Sequence, residues 1–183
     1  QLWDLDKDNK QGTFKLTSYK PIYVTAGRWS DSPNKLPQSE NPDFSSTVPV
    51  DYNNYEAKFQ ISFKTKIAES LFFGHGDLWI GYTQIAHWQI YNTEISRAFR
   101  ELNYEPELML NFHVNAKIAG LNLKMMGVGF NHQSNGRDLP LSRSWNRFIF
   151  NIALEAKNLQ IYINPWIRLN DDEDENPLIT SFI

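Results

Sequence analysis

The sequence predicts an all-β protein, an antiparallel transmembrane β-barrel. Three observations carry that reading. Apolar and polar side chains alternate along stretch after stretch, the two-residue period of a strand with unlike faces. The faces opposite the apolar ones are too polar for the core of a sandwich: Glu107, Asn111, His113, Asn115 and Lys117 share one of them. The stretches run to roughly ten residues or more, the length of a tilted bilayer-crossing strand, and long polar loops alternate with short links. A soluble β-sandwich also alternates, but it would have to bury those charged and amide groups.

Composition sets the outer bounds. The 183 residues fit a single domain, 1–183. Mean hydropathy is −0.51, which a barrel tolerates because half of each strand faces a polar interior. No apolar run approaches the ~18 residues of a membrane helix. The net charge of −3 gives no reason to expect a nucleic-acid partner, and the absence of Cys excludes disulfides and thiolate metal sites. Aromatic residues are abundant, with six Trp, eight Tyr and twelve Phe.

Taken in order, residues 1–11 read as a polar N-terminal lead-in. Thr13 to Trp29 is β-rich, but its alternation is poor and Pro21 interrupts it, which suits an edge or irregular strand. Residues 30–54, rich in Ser, Pro, Asn and Asp, form a long loop. Tyr55, Ala57, Phe59, Ile61 and Phe63 then alternate with Glu56, Lys58, Gln60, Ser62 and Lys64. A turn at 68–76 leads to Leu78, Ile80, Tyr82, Gln84, Ala86, Trp88 and Ile90 on one face. Residues 92–102 read as a polar loop, and Glu107–Lys117 as the next strand, with Leu108, Leu110, Phe112, Val114 and Ala116 on its apolar side. A hairpin follows over 121–156, then a strand in which Leu159, Ile161, Ile163, Ile167 and Leu169 share a face, and an acidic loop over 170–176. That makes seven strands. Bacterial barrels have an even number, and LITSFI at 178–183 resembles the start of another strand. The expectation is a barrel whose C-terminal part is missing from this chain.

The hairpin carries the chemistry. Met126, Val128, Phe130, His132 and Ser134 share one parity, and Asn146, Phe148, Phe150, Ile152 and Leu154 share the matching one. His132 and Ser134 therefore emerge together at the end of an apolar face, and Asn146 can meet His132 if the strands pair as neighbours. A Ser becomes nucleophilic when a His takes its proton and a third group orients that His. Ser134, His132 and Asn146 supply those types, with Asn146 as the orienting amide. Gly136 could offer an oxyanion N–H, with a cation adding to it. Polar groups on a lipid-facing surface are costly unless they do something.

These residues resemble a known family. NHQSNGRDLPLSRSWNR at 131–147 is similar to the signature of outer-membrane phospholipase A, as is NYEPEL at 103–108, and the similarity runs from about Phe14 to the C-terminus. The resemblance implies a twelve-stranded barrel in the bacterial outer membrane, with its active site on the outside at the outer-leaflet level. It implies phospholipase A1/A2 activity on the acyl esters of phospholipids and lysophospholipids, dependent on calcium and on homodimerisation. Matched by motif, the triad is Ser134, His132 and Asn146, with the Gly136 amide in the oxyanion hole. The calcium ligands would be the carbonyls of Arg137 and Ser142 from one subunit and the hydroxyl of Ser96 from the other. One position departs from the family pattern: Leu139 stands where an Asp serves a second calcium site, although Asp174 and Glu175 in the acidic loop could contribute. Gln84, a polar group on an apolar face, is expected at the dimer interface, as the family's matching Gln is. The competing functional readings are a non-catalytic outer-membrane barrel, a pore or adhesin, and a soluble lectin-like β protein.

Overall fold

A computed structural model describes residues 3–5 and 10–170. Its strands are β1 (Thr17–Ser18), β2 (Tyr23–Trp29), β3 (Tyr55–Ala68), β4 (Asp77–Trp88), β5 (Phe99–Ile118), β6 (Leu121–Ser134), β7 (Ser144–Ala156), β8 (Leu159–Ile163) and β9 (Trp166–Leu169). All pairings are antiparallel. The order is β1-β3-β4-β5-β6-β7-β8, with β2 also on β3 and β9 also on β7. The result is an open, all-β half-barrel.

The nine strands make seven staves. β1 and β2 lie on the same edge of β3, Ser18 opposite Phe63 and Tyr23 opposite Gln60. The stretch between them holds Pro21, the residue that marked this strand as irregular. β8 and β9 continue one register along β7: Ile163 faces Ile152, and three residues on, Trp166 faces Ile149. Pro165 falls in the gap, where it cannot donate a ladder bond, though its carbonyl still accepts from the Phe150 N–H at 2.8 Å.

One expected boundary moves. Residues 92–102 were expected to be loop and the next strand to begin at Glu107, but β5 begins at Phe99 and runs for 20 residues. The register shifts where His87–Glu101 gives way to Trp88–Phe99, and that bulge breaks the alternation. Pro106 disguises the strand a second time. It stands opposite Tyr82 on β4, while the named pairs with β6 skip from Tyr104–Ser134 to Glu107–Asn131.

The faces divide as the parities require. Ile61, Ile80, Leu108, Met126, Phe130 and Phe148 are exposed on the outside. The inside mixes ion pairs with an apolar cluster of Trp3, Trp79, Met109, Met125 and Ala153. Trp3 and Asp4, within the stretch read as a polar lead-in, are both buried there. Trp3 packs edge-on against Trp79 at 5.5 Å, and the Lys64 ammonium lies 4.3 Å from the centre of its ring. Asp4 accepts from Lys66 Nζ at 2.6 Å. Near the loop-bearing end, Glu56 bonds Arg28, His87, Gln89 and Arg100. These ties link β2, β3, β4 and β5 across the polar lumen side.

Candidate active site

Strands β6 and β7 bring the candidate triad to one end of the outer face. Their ladder runs without a break from Met125–Ala153 to Ser134–Ser144, and His132 stands directly opposite Asn146. Their side chains meet: His132 Nδ1 lies 2.8 Å from Asn146 Oδ1. An amide oxygen only accepts, so Nδ1–H is the donor, and in the neutral ring Nε2 carries the lone pair. Ser134 is two residues further along the same strand and face, with Tyr104 opposite on β5 and Ser144 on β7. Continuing the register places Pro106 opposite His132 on the β5 side. The polar triad edge is bordered by the exposed Phe130 and Phe148 rings, whose centres are 6.0 Å apart.

The loop 135–143 is folded around Asn135, a residue that sequence reasoning passed over. Asn135 is buried. Its Oδ1 accepts from the backbone N–H groups of Arg137 at 3.3 Å and Arg143 at 2.9 Å, and its Nδ2 donates to the Leu141 carbonyl at 2.8 Å. Such side-chain-to-backbone bonds are how Asn stabilises tight loops. Gly136 follows with φ +61°, and a Cβ there would lie 2.8 Å from the Tyr104 ring. The only hint in the sequence was the Asn-Gly pair, read for its glycine.

Two arginines fasten this loop to its surroundings. Arg137 donates to the carbonyls of Phe99 at 2.9 Å and Arg100 at 2.6 Å. Arg143 donates to those of Ser142 at 2.6 Å, Pro140 at 3.1 Å and Phe44 at 2.7 Å, the last in the long loop 30–54.

The expected calcium ligands split between two loops. Arg137 and Ser142 lie in the loop 135–143. Ser96 is exposed in the loop between β4 and β5, at φ +55°. Oxygen donors of this kind suit a hard cation. The Ser142 carbonyl accepts from Arg143. Among the described residues no group of three or more His, Asp or Glu is arranged to hold a metal ion. Asp174 and Glu175 lie outside the described residues. Gln84 lies on the outer face of β4, between Ile61 on β3 and Tyr104 on β5, and its Oε1 accepts from the Tyr82 hydroxyl at 3.1 Å.

The phospholipase A1 family model matches residues 1–183. A putative phospholipase A1 of Neisseria meningitidis serogroup B is 40% identical over 190 residues, covering 100% of this chain and 49% of that protein. Phospholipase A1 of Escherichia coli is 39% identical over 128 residues, 70% of this chain and 44% of that one. The chain thus spans about half the length of the curated relatives it matches. Among solved structures, the calcium-bound dimer of the Salmonella typhi outer membrane phospholipase superposes with a TM-score of 0.75 at 32% identity, covering 96% of this chain and 65% of that one. By sequence over its whole length and by the shape of its half-barrel, the chain belongs to the phospholipase A1 family.

Proposed function

We infer that the protein is an outer-membrane phospholipase, a serine esterase that hydrolyses acyl esters of phospholipids and lysophospholipids, depends on calcium and is activated by homodimerisation. The observation that carries this reading is the His132–Asn146 contact on the lipid-facing surface, one step along the strand face from Ser134. A side chain placed there meets an acyl ester without leaving the membrane boundary.

The steps follow from the atoms. His132 Nε2 takes the Ser134 hydroxyl proton as Oγ attacks the ester carbonyl carbon. The C=O π bond opens and its oxygen becomes an oxyanion, for which the Gly136 N–H is the candidate donor. Asn146 accepts from Nδ1–H and holds the ring in this tautomer, although a neutral amide stabilises the imidazolium less than a carboxylate would. Collapse expels the lysophospholipid alkoxide, which takes the proton from Nε2 and leaves an acyl-Ser134 ester. Water, deprotonated by His132, attacks that ester; the acyl C–Oγ bond breaks, Ser134 Oγ takes the proton back from Nε2, and the fatty acid is released. The Arg137 carbonyl, Ser142 and the Ser96 of a second copy would hold calcium, whose chemistry when bound is positive charge beside the developing oxyanion. A second copy would also cover part of the apolar face beside Gln84, which is how association could gate activity.

A pore is the weaker alternative, because Trp3, Trp79, Met109 and Met125 pack together inside the barrel wall. The direct test is fatty-acid release from phospholipid micelles by the refolded full-length protein, with calcium and with chelator, beside Ser134→Ala. Calcium-dependent release lost in the variant is the expected result. No release by folded, dimeric, calcium-loaded wild type would leave a barrel without this catalysis.

A further inference from the structure

On the lumen side, behind the triad, one guanidinium ties β7 to β6 and β5. Arg147 Nε donates to Asn131 Oδ1 at 2.7 Å, and its Nη2 to Glu105, with a longer bond to Gln133 Oε1 at 3.4 Å. Asn131 Nδ2 closes the triangle on Glu105 Oε1 at 3.1 Å. Three of its four members adjoin the chemistry in sequence. Asn131 precedes His132, Gln133 lies between His132 and Ser134, and Arg147 follows Asn146. Asn131 and Arg147 are register partners, as His132 and Asn146 are on the next rung. Because successive strand residues point to opposite faces, this brace grips from inside the rungs whose outer ends carry the triad.

That register must hold along the whole ladder, and the outer face contributes little to it. The link between β6 and β7 is the loop 135–143, which ties the register at its mouth, where the Asn135 N–H donates to the Arg143 carbonyl at 2.9 Å, and so acts at one end of the ladder alone. The outer neighbours Val128, Phe130, Phe148 and Phe150 are all apolar and face lipid, so a slip of two residues exchanges one such contact for another. That slip would leave Asn146 beside Phe130 or Ser134 instead of His132. On the inside the same slip pulls Arg147 from Asn131 and Glu105, both buried; Glu105 keeps its ion pair with Lys20 at 3.0 Å, but the half-buried guanidinium and the buried Asn131 amide lose their partners, which is disfavoured. A second tie repeats the pattern further down the strands: Asn151 Nδ2 donates to Asn111 Oδ1 at 3.1 Å, crossing β6 at Gly127, the register partner of both.

We propose that Arg147, bound to Glu105 and Asn131, is a positioning residue of the esterase: it sets the β6–β7 register that brings Asn146 to His132. This rests on the triad reading above. Arg147 touches no substrate and acts only through where Asn146 stands, so its effect must vanish when Asn146 is already gone.

The experiment is a double-mutant cycle in the refolded full-length protein, reading kcat and KM on micellar phospholipid. Arg147→Met, and the milder Glu105→Gln, should lower kcat roughly tenfold or more with KM within about twofold, when folding and dimerisation are matched to wild type. Arg147→Lys keeps the charge but not the fork, and should recover part of the loss. In an Asn146→Ala background Arg147→Met should cost nothing further. Lys58→Met, which removes a different inward charge on β3, should leave turnover unchanged. Equal losses from Arg147→Met with and without Asn146, or an equal loss from Lys58→Met, would make Arg147 a general structural residue and overturn the proposal. Full activity of Asn146→Ala or Ser134→Ala would instead overturn the triad on which it rests.

Discussion

His132 and Asn146 face each other across the β6–β7 ladder, and Nδ1 of the one lies 2.8 Å from Oδ1 of the other on the outer face of the sheet. A hydrogen-bonded pair of this kind beside lipid has no folding role that two apolar side chains could not fill better. Its geometry leaves the second ring nitrogen for the hydroxyl two residues along.

Removing the orienting amide should therefore slow the chemistry and leave binding alone. Asn146→Ala is expected to lower kcat by roughly 10–10³-fold with KM nearly unchanged, within the range that positioned acid–base groups contribute. Ser134→Ala and His132→Ala should each fall to background, and the double variant no lower, because the two act as one unit. Initial rates of fatty-acid release decide it. A KM-only effect of Asn146→Ala would mean that the amide binds substrate instead of orienting His132.

The parities of Ile61, Leu108, Phe130 and Phe148 were legible in the sequence because lipid on one side and a polar lumen on the other impose opposite demands on neighbouring residues. The triad face was legible for the same reason: three polar side chains ended an apolar stripe. The start of β5 was hidden because the bulge near Phe99 shifts the phase and Pro106 imitates a strand end. The brace was hidden more deeply. Glu105, Asn131 and Arg147 lie on three strands, and only the register shows that one guanidinium reaches both partners. Trp3 read as part of a polar lead-in because its burial depends on Tyr19 and Trp79, distant in the chain.

The Gly136 loop yields a second prediction. At φ +61° a residue with a Cβ is strained by about 1 kcal/mol, and this Cβ would also press on the Tyr104 ring from 2.8 Å. Gly136→Ala should shift the amide and reduce kcat about tenfold, less than the ~10²–10³ lost when an oxyanion donor is removed outright. Adding Tyr104→Ala relieves the contact but not the backbone strain, so recovery should be partial. Unchanged turnover in folded Gly136→Ala would exclude its amide from the oxyanion site.

Gly127 is required for a different reason. A Cβ there would lie 2.0 Å from Asn111 Oδ1 and 2.7 Å from the Leu110 carbonyl oxygen. The Asn111 side chain could swing away, at the expense of its bond to Asn151, but the backbone oxygen could not. Gly127→Ala should lose about 1–3 kcal/mol, combining overpacking with buried amides left unpaired. Gly129→Ala, whose Cβ would meet Met109 Cγ at 3.0 Å and the Leu108 oxygen at 3.3 Å, is the milder comparison. Urea unfolding in detergent should rank the two in that order, and equal midpoints would show that no crossing bond needs the space.

Gln84 tests the dimer. It stands on the outer face with Ile61 and Tyr104 beside it, and Tyr82 satisfies one lone pair of its amide oxygen. An amide has more hydrogen-bonding capacity than one hydroxyl fills, and lipid offers nothing for the remainder. A second copy presenting its own Gln84 could satisfy both at once, since a two-fold interface sets the same patch against itself. Gln84→Leu should then weaken association by about 0.5–1.5 kcal/mol, a rise in dimer dissociation constant of roughly 2–12-fold. Sedimentation equilibrium in density-matched detergent measures that constant directly. Activity at low protein concentration should fall with it and recover as concentration rises, while a residue of the reacting site would lower activity at every concentration. An unchanged dissociation constant would place Gln84 at the lipid boundary, outside any contact between copies.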